Sequence, residues 1–136
     1  MLIFSEDQNY VVDVGSNDII PSLYSTIKIR LDENKETISL ALFFLEKYNC
    51  TAANTLKTAK QFTFIKKKLS EFPVDKIVYD YTQLEKHHPW LKSLDASVKT
   101  CADFYLTADG KNLIDEIISV LEYGDNHHQA VIILPE

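Results

Sequence analysis

Between Thr51 and Phe72 the apolar residues Ala52, Leu56, Ala59, Phe62, Ile65, Leu69 and Phe72 recur every three or four positions, and Pro73 closes the run. A stripe of that period predicts an α-helix capped by Thr51, with one face that other structure must cover. Its lysines, Lys57, Lys60, Lys66, Lys67 and Lys68, lie mainly off the stripe and face water or a ligand. The preceding segment, Glu36 to Tyr48, places Ile38, Ala41, Leu42, Leu45 and Tyr48 at the same spacing behind Asn34 as an N-cap. Leu40, Phe43 and Phe44 make it apolar nearly all round, as expected of a helix covered on more than one side.

The ends of the chain read as strands. Leu2 to Phe4 and Tyr10 to Val14 are β-branched and aromatic, and Gly15-Ser16-Asn17-Asp18 supplies a turn. Ile27, Ile29 and Leu31 alternate with Lys28 and Arg30, which predicts a further strand. Ile19 to Tyr24, containing Pro21, is expected to be a connection or a single helical turn. Lys76 to Tyr81 reads as a strand with Ile77, Tyr79 and Tyr81 on one face and Val78 and Asp80 on the other. Thr82 caps a short turn, and His87-His88-Pro89-Trp90 forms an aromatic-tipped loop. Ala96 to Tyr105 is open between helix and extended chain. Leu113, Ile114, Ile117, Ile118 and Leu121 form the stripe of a last helix, capped by Thr107 or Asp109 and ended by Gly124, before a final strand over Ala130 to Leu134. Strands at both ends with helices between them predict a single α+β domain over residues 1–136, a mainly antiparallel sheet packed against about three helices.

Several functions are excluded on residue content. Gly15, Gly110 and Gly124 are the only glycines, so neither the dinucleotide-binding nor the phosphate-loop glycine pattern can be written. No apolar run approaches the roughly 20 residues of a membrane span. Met1 to Asp7 carries no basic residue ahead of its apolar stretch, which is the wrong order for a secretory signal, so a cytoplasmic protein is expected. Cys50 and Cys101 are then expected to be reduced, buried thiols. His87-His88 and His127-His128 have poor chelating geometry, because adjacent side chains diverge, and read as surface loop residues. Asp115 with Glu116, and Asp80 with Glu85, have no nucleophile or oxyanion device beside them.

Charge is distributed unevenly. The net charge of −6 combines residues 1–46, with three basic and eight acidic side chains, residues 47–70, with six lysines and no acid, and residues 71–136, with five lysines and twelve acids. An acidic chain attracts basic partners and repels nucleic acid at long range. Trp90, with Tyr79, Tyr81 and Tyr105 nearby in the chain, supplies either interface anchors or core packing.

Three segments, taken together, carry a family resemblance: Val12-Asp13-Val14-Gly15-Ser16-Asn17-Asp18 followed by Pro21-Ser22-Leu23-Tyr24-Ser25-Thr26-Ile27; Pro73 to Asp80 with Pro89-Trp90; and Tyr105-Leu106-Thr107-Ala108-Asp109-Gly110-Lys111-Asn112-Leu113. The chain resembles the immunity protein 70 family of bacterial polymorphic toxin and contact-dependent growth inhibition systems. It departs from the family's pattern at Tyr79, His88 and Leu91, as a divergent member would.

The resemblance implies a non-enzymatic cytoplasmic protein, without cofactor or metal, that binds and neutralises the C-terminal domain of a cognate toxin in a one-to-one complex. The chain's acidity makes a basic toxin, and hence a nuclease, the expected partner, with neither nucleic acid nor membrane bound. Contacts are expected among Asp13, Asp18, Tyr79, Asp80, Tyr81, Glu85, Trp90 and Asp95. The alternative is a nucleic-acid-associated accessory protein that uses the lysine-rich helix 57–68.

Overall fold

The computed structural model describes residues 1–88 and 94–136. A hairpin of β1 (Leu2–Ser5) and β2 (Val11–Asp13) opens the chain. β4 (Val131–Leu134) pairs on the other side of β1, and the two-residue β3 (Asn49–Cys50) completes an antiparallel sheet of order β2-β1-β4-β3. Register sorts the side chains by face, as a period of two requires. Val12, Ile3 and Ile133 lie opposite one another and are buried, as are Ser5, Val131 and Cys50. The other face carries Leu2, Phe4, Val11, Ile132 and Leu134, of which Val11 and Leu134 are exposed.

The helices stack on the inner face. α5 (Leu113–His127) packs against the strands on one side and against α3 (Thr55–Leu69) on the other, so Leu113, Ile114, Ile117, Val120 and Leu121 are all fully covered. α2 (Ser39–Lys47) packs on α3 and on α1 (Ile19–Arg30). Phe44 of α2 meets Phe62 of α3 edge to face, centroids 6.2 Å apart, in the middle of the core. α4 (Cys101–Phe104) is a single turn, held at its start where the Thr100 amide donates to Asp103 Oδ2. Cys50 and Cys101 are buried free thiols, and burial pushes the Cys101 thiol up to about 12, which keeps it protonated and unreactive.

Two expected strands are not strands. Ile27 to Leu31 is the end of α1, whose buried positions Ile19, Ile20, Leu23, Ile27 and Leu31 step mostly by four. The alternation from Ile27 to Leu31 is a five-residue sample of that longer period. Pro21 sits in the first turn, where an amide has no intrahelical acceptor in any case. Lys76 to Tyr81 does alternate, with Val78 buried, but among the described residues it joins no ladder. Its backbone bonds go instead to side chains of α1: Val78 N–H to Thr26 Oγ1 at 2.8 Å and Tyr81 N–H to Ser25 Oγ at 3.1 Å. Ser22 Oγ donates to the Val78 carbonyl at 3.0 Å, and Arg30 Nε donates to the Lys76 carbonyl at 2.7 Å. Ser22, Ser25, Thr26 and Arg30 thus form a polar stripe along α1 that takes the place of a neighbouring strand.

Boundaries also move. α3 begins at Thr55 after a 3-10 turn over Ala52–Asn54, so Thr51 caps that turn rather than the helix. α5 is capped by Asn112, whose side chain accepts from the Asp115 amide at 3.0 Å, rather than by Thr107 or Asp109.

Gly124 does not end α5; it lies inside the helix, buried, where a Cβ would meet the Gln129 carbonyl oxygen at 2.7 Å, Val131 Cγ2 at 3.0 Å and Thr55 Cγ2 at 3.1 Å. Alanine normally gains about 1 kcal/mol over glycine in a helix. Here overpacking dominates, and Gly124→Ala is expected to lose about 1–3 kcal/mol, read as a lower urea midpoint. A midpoint equal to or above wild type would show that the 128–131 turn yields.

Candidate functional site

The stripe on α1 positions a surface feature. By holding residues 76–81 across the helix, it sets Tyr79, Asp80 and Tyr81 beside the start of α1 and the end of α2, and an open groove of about 540 Å³ lies between them. Tyr24, Tyr48, Tyr79 and Tyr81 line it with Asp18, Glu46 and Asp80, and among the described residues no lysine or arginine lines it.

The lining is ordered by its own hydrogen bonds. Tyr79 Oη donates to Asp18 Oδ2 at 3.1 Å, and that bond, with the carboxylate's charge, raises the phenol's pKa so that it stays a donor. Ser16 Oγ also donates to Asp18. Asp80 Oδ1 accepts from the Thr82 amide at 2.9 Å and its hydroxyl at 2.7 Å, which lowers the Asp80 pKa and keeps it ionised. Tyr24 Oη reaches Glu46 Oε2 at 3.4 Å, and the Tyr24 and Tyr81 rings meet edge to face at 5.8 Å. Tyr48 enters from the C-cap of α2, where its left-handed backbone (φ 64°) turns the chain into β3.

Of the eight residues expected to make contacts, Asp18, Tyr79, Asp80 and Tyr81 come together here. Asp13 lies in a different hollow of about 610 Å³ with Tyr10, Asp109, Lys111 and Glu116. The carboxylates there are partly neutralised, since Lys111 Nζ is 3.7 Å from Asp109 and 3.6 Å from Glu116. Glu85 and Asp95 are exposed and line neither feature; the Ser97 amide donates to Asp95 and lowers its pKa. Trp90 lies outside the described residues. Sequence reasoning missed Tyr24, which reaches the groove from α1, and Glu46 and Tyr48, which reach it from the end of α2.

His88 is not a surface residue. It is buried at 3% exposure between Tyr79 and Phe104, with ring centroids at 5.4 and 4.8 Å. His127 belongs to α5 and His128 is its C-cap, both exposed. Burial lowers the His88 pKa below 6.5, and the Asp18 charge opposes that shift without reversing it. The unfolded chain therefore takes up the proton first, and stability falls as pH drops from about 6.5 toward the depressed folded value. The wild-type urea midpoint is expected to decline between about pH 7.5 and about pH 5.5, and to decline less in His88→Phe. Equal declines in both proteins would remove His88 as the cause.

The lysine-rich face of α3 is partly occupied by the chain's own acids. Lys66 Nζ is 2.6 Å from Asp115 and Lys68 Nζ is 3.9 Å from Glu71, while Lys57, Lys60 and Lys67 are exposed. No helix among the described residues is long and apolar enough to cross a membrane.

Fold and site together define a small α+β protein whose distinguishing surface is an acidic groove lined by tyrosines. Comparison with protein families matches residues 5–133 to Immunity protein 70, and the chain belongs to that family: it is an immunity protein of a toxin system. Neither the curated proteins nor the solved structures contain a match.

Proposed function

We propose that this protein neutralises its cognate toxin by direct one-to-one association in the cytoplasm, presenting the groove between α1, α2 and residues 79–81 to a basic surface of the toxin domain. The observation that carries this reading is the groove's composition, which among the described residues is four tyrosines and three carboxylates with no lysine or arginine in the lining. Tyrosines supply large contact area at low entropic cost and dominate interface energetics, and a cluster of carboxylates steers a basic partner. A nuclease fits best, because an enzyme that grips phosphate is basic around its cleft. The chain has no described catalytic role in this reading; inhibition comes from occupying the toxin.

Expression with the C-terminal module of about 100–300 residues from the product encoded immediately upstream tests it, that range being one to two domains. A stable one-to-one complex that survives high salt, with rescue of cells from the module's toxicity, is the expected result. No complex and no rescue would overturn direct association and bring forward the exposed lysines of α3 as a phosphate-binding face.

A further inference from the structure

Among the described residues, Lys28, Lys47 and Lys86 border the groove, and each ammonium is set against side chains that line it. Lys28 Nζ lies 5.8 Å from the Tyr24 ring centroid and 5.3 Å from that of Tyr81, so a single cation faces both rings. Lys86 Nζ lies 5.8 Å from the Tyr79 centroid, and Lys47 Nζ is 3.8 Å from Glu46 Oε1. All three lysines are exposed, so holding them there gains little and releasing them costs little. The rings of Tyr24, Tyr79 and Tyr81 and the Glu46 carboxylate are thus already engaged, weakly, with cations of the protein's own chain.

We propose that the groove is a receptor for arginine side chains of the partner, with Lys28 and Lys86 as resident place-holders that incoming guanidinium groups displace. The proposal rests on the reading of this groove as the toxin-binding surface, and it names the chemistry recognised there. A guanidinium outcompetes an ammonium at such a site for two reasons. It is planar and weakly hydrated, so it stacks on the Tyr24 and Tyr81 rings at smaller desolvation cost, and its forked donors match the carboxylates of Glu46 and Asp18. It also arrives on a partner already held by other contacts, whereas Lys28 gives up an i, i+4 arrangement with Tyr24 and a position over Tyr81, both at an exposed site.

The test uses the free protein with ethylguanidinium as probe, following the ring signals of Tyr24, Tyr79 and Tyr81 by NMR. Saturable shifts of Tyr24 and Tyr81 are expected, tighter for ethylguanidinium than for ethylammonium. Lys28→Met is expected to tighten the probe by about threefold and Tyr81→Leu to weaken it by about as much. Lys57→Met on α3 makes the same charge change away from the groove and is expected to leave binding unaltered. Rings that do not respond, equal affinity for the two probes, or equal tightening in Lys28→Met and Lys57→Met would each overturn the proposal. Toxin capture is scored separately. A responsive groove in a protein that captures no toxin would retire the immunity contact and keep the receptor, whereas a toxin complex with silent rings would do the reverse.

Discussion

Replacing Asp18, Glu46 and Asp80 by their amides is expected to slow association with the toxin domain by about tenfold or more at low salt, with dissociation changing less. At Asp80 the amide keeps Oδ1, which accepts from both the amide and the hydroxyl of Thr82, and at Asp18 it keeps one of the two oxygens that accept from Ser16 and Tyr79 while its NH2 can donate to the other hydroxyl, so the side chains stay the same size while three negative charges disappear. What is lost is long-range attraction, which salt also removes. Rates for wild type and variant should therefore converge as ionic strength approaches about 1 M, where the screening length is only about 3 Å. Stopped-flow association at several salt concentrations measures this directly.

The comparison set is Asp13, Glu85 and Asp95, acids of the same sign that lie outside the groove. Equal slowing by that set would mean that the whole acidic surface steers the toxin and the groove has no special part. A second control addresses the open face of the sheet, where Val11 and Leu134 are 53% and 52% exposed beside Leu2, Phe4 and Ile132. If Val11→Asp with Leu134→Asp abolishes the complex while the groove amides leave it intact, the sheet face is the interface.

The largest effect on folding from a single buried hydroxyl is expected at Thr26. Its Oγ1 is the acceptor for the buried Val78 amide at 2.8 Å and lies 2.7 Å from Tyr105 Oη and 3.2 Å from the Val78 carbonyl. Thr26→Val keeps the shape and removes that acceptor, so the Val78 N–H is left without a hydrogen bond in the interior. The expected cost is about 1–3 kcal/mol, read from urea denaturation. Tyr105→Phe removes a hydroxyl that lies 2.9 Å from Ser22 Oγ and 2.7 Å from Thr26 Oγ1, yet both of those residues can still donate to the Val78 carbonyl, and about 1 kcal/mol is expected. Burial raises the Tyr105 phenol well beyond any working pH, so it is a permanent donor and these costs are pH-independent there. Thr26→Val should also accelerate amide exchange at Val78 and Tyr81 and weaken toxin binding without touching the toxin. If Thr26→Val is no costlier than Tyr105→Phe, the α1 stripe does not hold the groove in place.

Much of the fold was legible in the chain. The stripes of α3 and α5, the all-round apolarity of α2 and the β-branched ends follow from the spacing of apolar residues, because a helix or strand has to bury a face whatever it packs on. Asp18, Tyr79, Asp80 and Tyr81 were also recognisable as candidates, from residue type and charge. Two features resisted. Ile27 to Leu31 satisfies a strand's period and a helix's over five residues, and only the apolar positions back to Ile19 separate them. Lys76 to Tyr81 is extended and alternates, as a strand does, and nothing local says whether its amides meet another backbone or the hydroxyls of a helix.

The sequence alone thus determined the helices α2, α3 and α5 and the strands at both ends, the excess of acid and the absence of phosphate-loop glycines, since these depend on periodicity and composition. Tertiary structure alone decided that Ser22, Ser25 and Thr26 replace a strand for residues 78–81, and that Tyr24, Glu46 and Tyr48 join Tyr79 and Tyr81 around one groove. A site assembled from two helix ends and an extended segment has no period along the chain. It exists only once buried hydroxyls have satisfied the backbone that carries it.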